Sequence, residues 1–90
     1  MTQTRTEMIR QRLQETLAPE MLEIEDESHL HAGHAGARDG RGHFRVMVVA
    51  DVFTNHTKIA RHRLVFNALS DLMETDIHAL TLQAFSPDEI

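Results

Sequence analysis

The sequence predicts an α+β fold: a three-stranded mixed sheet with two main helices on one face and a short C-terminal helix. Three observations lead there. Apolar residues recur with helical period over Ile9–Leu17 and His62–Met73. They alternate with period two over Met21–Glu27, His43–Asp51 and Ile77–Phe85. The resulting order is helix, strand, strand, helix, strand. The last strand follows a helical crossover, which suits parallel pairing, whereas the first two strands suit an antiparallel pair. Ninety residues fit one domain, residues 1–90.

Each element has a local reason. Thr4 and Glu7 fit a capping box opening a helix over Arg5–Ala18, with Ile9, Leu13 and Leu17 on one stripe and Pro19 as the stop. In the first strand Leu22 and Ile24 alternate with Glu23, Glu25 and Glu27, so its outer face is acidic. Ser28–Gly42 holds all four glycines and three of the seven histidines, and reads as a loop. The second strand is apolar on both faces, as a central strand is. Phe53–Thr57 is a short connection. A second amphipathic helix runs over Lys58–Glu74, with His62, Val65, Phe66, Leu69, Leu72 and Met73 on its stripe. In the third strand, alternation puts His78, Leu80, Leu82 and Ala84 on one face. Ser86-Pro87-Asp88-Glu89 is a helix start, so any final helix is short.

Composition narrows the function classes. No cysteine means no disulfide, no Cys-based zinc site and no thiol nucleophile. No P-loop, G-x-S-x-G or similar constellation is present, so binding rather than catalysis is expected. Met1–Arg12 has no apolar run, so neither a signal peptide nor a membrane span is expected, and the cytoplasm is the default. The net charge of −5 disfavours strong non-specific nucleic-acid binding. Protonating every histidine would carry that charge to +2, so mild acid can reverse its sign.

The segment Asp26-Glu27-Ser28, a His/Gly loop and then His43-Phe44-Arg45-Val46 resembles the first half of BolA proteins. Arg61-His62-Arg63-Leu64-Val65, followed by Ile77-His78-Ala79-Leu80, resembles their second half. The ordered match spans about Ile9 to Asp88. The resemblance implies a class II KH-like topology. It also implies a monothiol glutaredoxin partner sharing a [2Fe-2S] cluster, with the partner's cysteine and a glutathione as the other ligands. In bacterial members it implies a DNA-binding regulator of morphology and stress genes. One departure is Asn55, where the family often has glycine in the turn after the second strand; asparagine tolerates the left-handed conformation.

The resemblance carries an iron-ligand role onto His78; spacing alone favours a histidine capping a sheet edge. For the second ligand it points into the loop, where His31 and His34 compete and His34 is nearer the middle. His29 and His43 are expected to be silent. His62 lies on the apolar stripe and is expected to be partly buried and hydrogen-bonded. The alternative joins it to a partner or nucleic-acid surface with Lys58, Arg61 and Arg63, the dense basic patch of the chain together with His56. Gly33-His34-Ala35-Gly36 spells GxxG, but it joins two strands without a basic flank and is read as coincidence.

The leading expectation is thus a glutaredoxin partner that co-ligates a bridging cluster in iron–sulfur trafficking or iron regulation, monomeric or weakly dimeric when apo. The alternative is a DNA-binding transcriptional regulator. Plain metal binding by the His-rich loop is a third reading.

Overall fold

A computed structural model describes residues 4–27 and 42–90. The elements are helix α1 (Arg5–Leu17), strands β1 (Met21–Asp26) and β2 (Gly42–Val49), a 3-10 turn at Asp51–Phe53, helices α2 (Lys58–Ala68) and α3 (Ser70–Thr75), strand β3 (Ile77–Phe85), and a 3-10 turn at Pro87–Glu89. The strands form one sheet in the order β1-β2-β3. β1 pairs with β2 antiparallel and β2 with β3 parallel, so β2 is central as its two apolar faces require.

Local chemistry sets the boundaries. The Thr4 hydroxyl accepts from the Glu7 N–H at 3.1 Å and starts α1. Ala18 ends it in the left-handed region at φ 45°, with Pro19 behind it. Thr57 caps α2 by accepting from the Ala60 N–H at 3.1 Å. Asn55 adopts φ 66°, the left-handed turn conformation its residue type tolerates.

One face of the sheet carries the core. Phe44, Val46 and Val48 of β2 stand between Leu22 and Ile24 of β1 and Leu80, Leu82 and Ala84 of β3. Ile9 and Leu13 of α1, Val65 and Leu69 of α2 with its cap, and Leu72 of α3 complete one buried cluster with them. The other face carries Glu23, Glu25, Arg45, Thr81 and Gln83, all exposed. Both helical layers therefore lie on one side. Arg12 reaches from α1 to Asp71 at 2.8 Å, and Arg5 to Asp76 at 3.3 Å, tying the helices' ends together.

Two expectations change. The single helix over Lys58–Glu74 is two, because the backbone leaves helical geometry at Leu69 (φ −104°, ψ 11°). Asn67, Ser70 and Asp71, all weak helix formers, flank the break. Leu69 N–H still donates to Val65 O at 3.1 Å and Met73 N–H to Leu69 O at 2.9 Å, so hydrogen bonds span the break. Phe53, assigned to a connection, is a fully buried core residue on the short turn. The C-terminal helix is short, as expected, a single 3-10 turn. The glycine-rich segment falls on residues 28–41, outside the described residues, and Gly42 belongs to β2. Among the described residues no helix is long and apolar enough to cross a membrane.

Candidate functional site

β2 and β3 run parallel, and each carries a histidine at its second position, His43 and His78. Gly42 pairs with Ile77, but His43 pairs with Ala79. One extra residue, His78, is thus inserted into β3 opposite the Gly42–His43 step. This is a β-bulge, and Gly42, lacking a Cβ, gives it room.

The bulge decides where His78 points. Strict alternation would put it in the row Leu80, Leu82, Ala84 and so toward the core. The extra residue breaks that alternation: Ile77 is fully buried while His78 is exposed. The expectation that His78 shares a face with Leu80, Leu82 and Ala84 is corrected accordingly. Its ring meets that of His43, with centroids 5.2 Å apart and planes tilted by 57°.

The frame beneath this pair is fixed from both sides. Glu27 N–H donates to His43 O at 2.8 Å and Gly42 N–H to Asp76 O at 2.9 Å. Asp76 is itself held by Arg5 and by the Thr75 hydroxyl at 2.7 Å. Such second-layer bonding holds an exposed side chain to a fixed origin. His43, expected to be silent, is the residue the structure brings to His78. His31 and His34, the loop candidates, lie with His29 outside the described residues. Among the described residues no three His, Asp or Glu side chains group to hold a metal.

The basic residues of α2 are not equally exposed. Arg61 turns inward, with its side chain 11% exposed. Its Nε donates to His56 O at 3.0 Å and its Nη1 to Ala84 O at 3.2 Å. Both Nη atoms also grip the Glu89 carboxylate, the Nη2–Oε2 distance being 3.2 Å. Glu89 Oε1 accepts from the Ser86 N–H at 2.7 Å, and the buried Ser86 hydroxyl donates to Asp88 at 2.7 Å. Arg61, and after it the Ser86 N–H, hold the Glu89 carboxyl down to about 2. Arg61 is therefore the clasp of the C-terminal turn. Lys58 and Arg63 stay exposed, with no ion pair among the described residues.

His62 is half-buried beside this clasp. Its Nε2 is shielded from solvent and has no hydrogen-bond partner among the described residues, which corrects the expectation of a satisfied core histidine. An open cavity of about 470 Å³ lies between α2 and the end of β3, lined by His56, Lys58, Arg61, His62, Gln83 and Phe85 among others.

A three-stranded mixed sheet, helices on one face and an exposed histidine on a bulge at the start of the last strand define an α+β domain of one recognisable class. The family of BolA-like proteins matches residues 13–89. The chain belongs to the BolA family. It is 40% identical over 87 residues to SufE-like protein 1 of Arabidopsis thaliana, covering 91% of this chain and 24% of that protein. It is 39% identical over 90 residues to protein BOLA1 of the same plant, covering 97% of this chain and 56% of that one. The chain therefore spans about a quarter of the first relative and just over half of the second. A protein named DNA-binding transcriptional regulator BolA from Escherichia coli is 37% identical over 86 residues, covering 91% of this chain and 79% of that one. Among solved structures, the BolA domain of SufE1 from Arabidopsis thaliana superposes with a TM-score of 0.86 at 36% identity, over the full length of both chains.

Proposed function

We propose that this chain is the BolA-type partner of a monothiol glutaredoxin and that the two proteins together hold a bridging [2Fe-2S] cluster. The observation that carries this reading is His78: an exposed imidazole set on a bulge by a hydrogen-bonded frame and excluded from the core. Imidazole is a competent iron ligand, as histidine-ligated [2Fe-2S] centres illustrate. The chain has no cysteine, so thiolate ligands would have to come from the partner and its glutathione. The donor set available here therefore suits one end of a shared centre. The cluster would supply electron-transfer and transfer-of-iron chemistry; the chain's own part is to aim His78 outward. His31 or His34 would contribute the second imidazole.

The test is to mix the protein with a monothiol glutaredoxin, iron, sulfide and glutathione and to record visible circular dichroism. A mixed-ligand spectrum that His78→Ala abolishes supports the reading. An unchanged spectrum in that variant sinks it.

A second reading, DNA binding, draws on the printed name of the Escherichia coli relative and on the exposed Lys58 and Arg63. Two cations on an acidic chain give weak, salt-sensitive binding. It should tighten as pH falls toward about 6, where imidazoles gain charge. Arg61 serves the C-terminal turn, so the clean variant is Lys58→Glu with Arg63→Glu. Binding to duplex DNA that survives this double change would rule the surface out.

A further inference from the structure

We propose that the outer edge of β3 is a self-association surface, on which two copies of this chain pair their β3 strands antiparallel across a two-fold axis. The two sheets then join into one continuous sheet. Neither His78 nor a glutaredoxin takes part, so the pairing stands or falls apart from the cluster reading.

The sheet has two edges, and they differ in chemistry. β1 carries Glu23, Glu25 and Asp26. β3 runs over Ile77–Phe85 without an aspartate, glutamate, lysine, arginine, proline or glycine. Charged side chains, proline and short length are the devices that keep an edge from pairing with another chain. β3 has none of them. The order β1-β2-β3 leaves no strand on its outer side among the described residues.

Two contacts fix which backbone groups face outward. Ala50 N–H donates to Phe85 O at 3.0 Å, so the backbone groups of Phe85 turn toward β2 and its continuation. Alternation then turns those of Thr81 and Gln83 toward β2, and those of Leu80, Leu82 and Ala84 outward. Ala84 O accepts from Arg61 Nη1 at 3.2 Å, so the clasp of Arg61 and Glu89 closes the finish of the edge. Leu80 and Leu82 present the stretch that a further strand can join.

That stretch selects its occupant. In a second copy running antiparallel, with the axis at Thr81, Leu80 stands opposite Leu82 of the other copy and Leu82 opposite Leu80. Each such pair exchanges both its N–H···O bonds. Thr81 stands opposite its own counterpart on the open face of the sheet, where it is exposed. Threonine pairs across strands are favourable. No like charges meet in this ladder, whereas pairing through β1 would set acids against acids. A two-fold contact also closes on itself and stops at a dimer. So short a ladder makes a small interface, so the dimer is weak and forms only at high concentration.

The full chain is followed by sedimentation and by amide hydrogen exchange from micromolar to millimolar concentration. The sedimenting mass is expected to rise toward that of a dimer. Exchange at the Leu80 and Leu82 N–H groups slows severalfold over the same range. The amides of Thr81 and Gln83, already bonded to β2, and those of β1 do not change. Thr81→Lys puts like charges opposite each other at the axis, and so does Thr81→Glu. Each variant alone stays monomeric, with circular dichroism showing the fold intact. Mixing the two restores a dimer, because the axis then joins opposite charges. A parent that is monomeric at every concentration overturns the proposal, as does a dimer that survives Thr81→Lys. Slow exchange at Leu80 and Leu82 at all concentrations overturns it too, by showing the edge covered within one chain. Slowing that occurs only when a glutaredoxin is added also overturns it, and assigns the edge to that protein.

Discussion

The two ends of β3 are built in opposite ways. At its start an extra residue breaks the ladder, and the side chain inserted there is polar, exposed and near a second imidazole. At its finish Arg61 binds His56 O, Ala84 O and Glu89 at once, and closes the last turn against the strand. One end uses a histidine among acidic and apolar neighbours, the other an arginine of the basic run Arg61-His62-Arg63. His78 stands exposed, whereas Arg61 is turned inward. Residue type alone does not separate these fates; the partners available in three dimensions do.

Substitutions at the two ends should therefore give opposite phenotypes. The largest expected effect is at the start of β3. His78→Ala should remove the mixed-ligand cluster signal entirely, yet change unfolding free energy by no more than about 0.5 kcal/mol, as exposed substitutions do. Urea unfolding beside the cluster assay checks both halves, and a strongly destabilised variant would show that the two ends are not distinct.

Arg61→Ala should do the reverse. It leaves the Ala84 carbonyl and the Glu89 carboxylate without their shared donor, and should cost about 1–3 kcal/mol in urea unfolding. The cluster signal, measured at a temperature where the variant is folded, should remain. Loss of the signal in the folded variant would mean that the clasp reaches the other end of the strand.

A smaller effect is expected at Asn55, between β2 and α2. Asn55→Gly should be close to neutral, and Asn55→Val should cost about 1–2 kcal/mol, because a β-branched residue resists the left-handed conformation.

The smallest effect concerns acid. Glu89 is held down to about 2 by Arg61, so its contribution is complete above the ordinary carboxyl range. That contribution falls away as pH drops from about 4.5 toward 2. Glu89→Gln should therefore be less stable than the parent at pH 7, with the gap closing by pH 2. A gap constant with pH would show that the ion pair does not matter to the clasp.

Much of the frame could be read from residue order. Period-two runs, a helical crossover and a central strand apolar on both faces sufficed for the mixed sheet and its two pairings. Thr4, Ser86 and Asn55 behave as their side-chain chemistry predicts. What escaped depends on contacts between distant segments. The bulge at His78 exists only in the register of β3 against β2, and strict alternation within β3 pointed His78 the wrong way. The role of Arg61 depends on Glu89, 28 residues later, so helix spacing alone placed it on a surface patch. Phe53 looked like part of a connection because a three-residue turn has no periodicity to reveal its buried side. One signal for His43 was present: two strands that lie parallel and each begin with a residue followed by histidine bring those histidines to the same end of the sheet.

β1 lies at an edge of the sheet, and one row of its backbone groups has no neighbouring strand among the described residues. Such an edge is where a second copy of a protein can add itself and begin an aggregate. Here Glu23, Glu25, Asp26 and Glu27 follow one another along or just beyond the strand, with Leu22 and Ile24 turned toward the helices. Two copies approaching edge to edge would bring rows of like charge together. The same acids that lower the net charge of the chain thus oppose such edge-to-edge pairing.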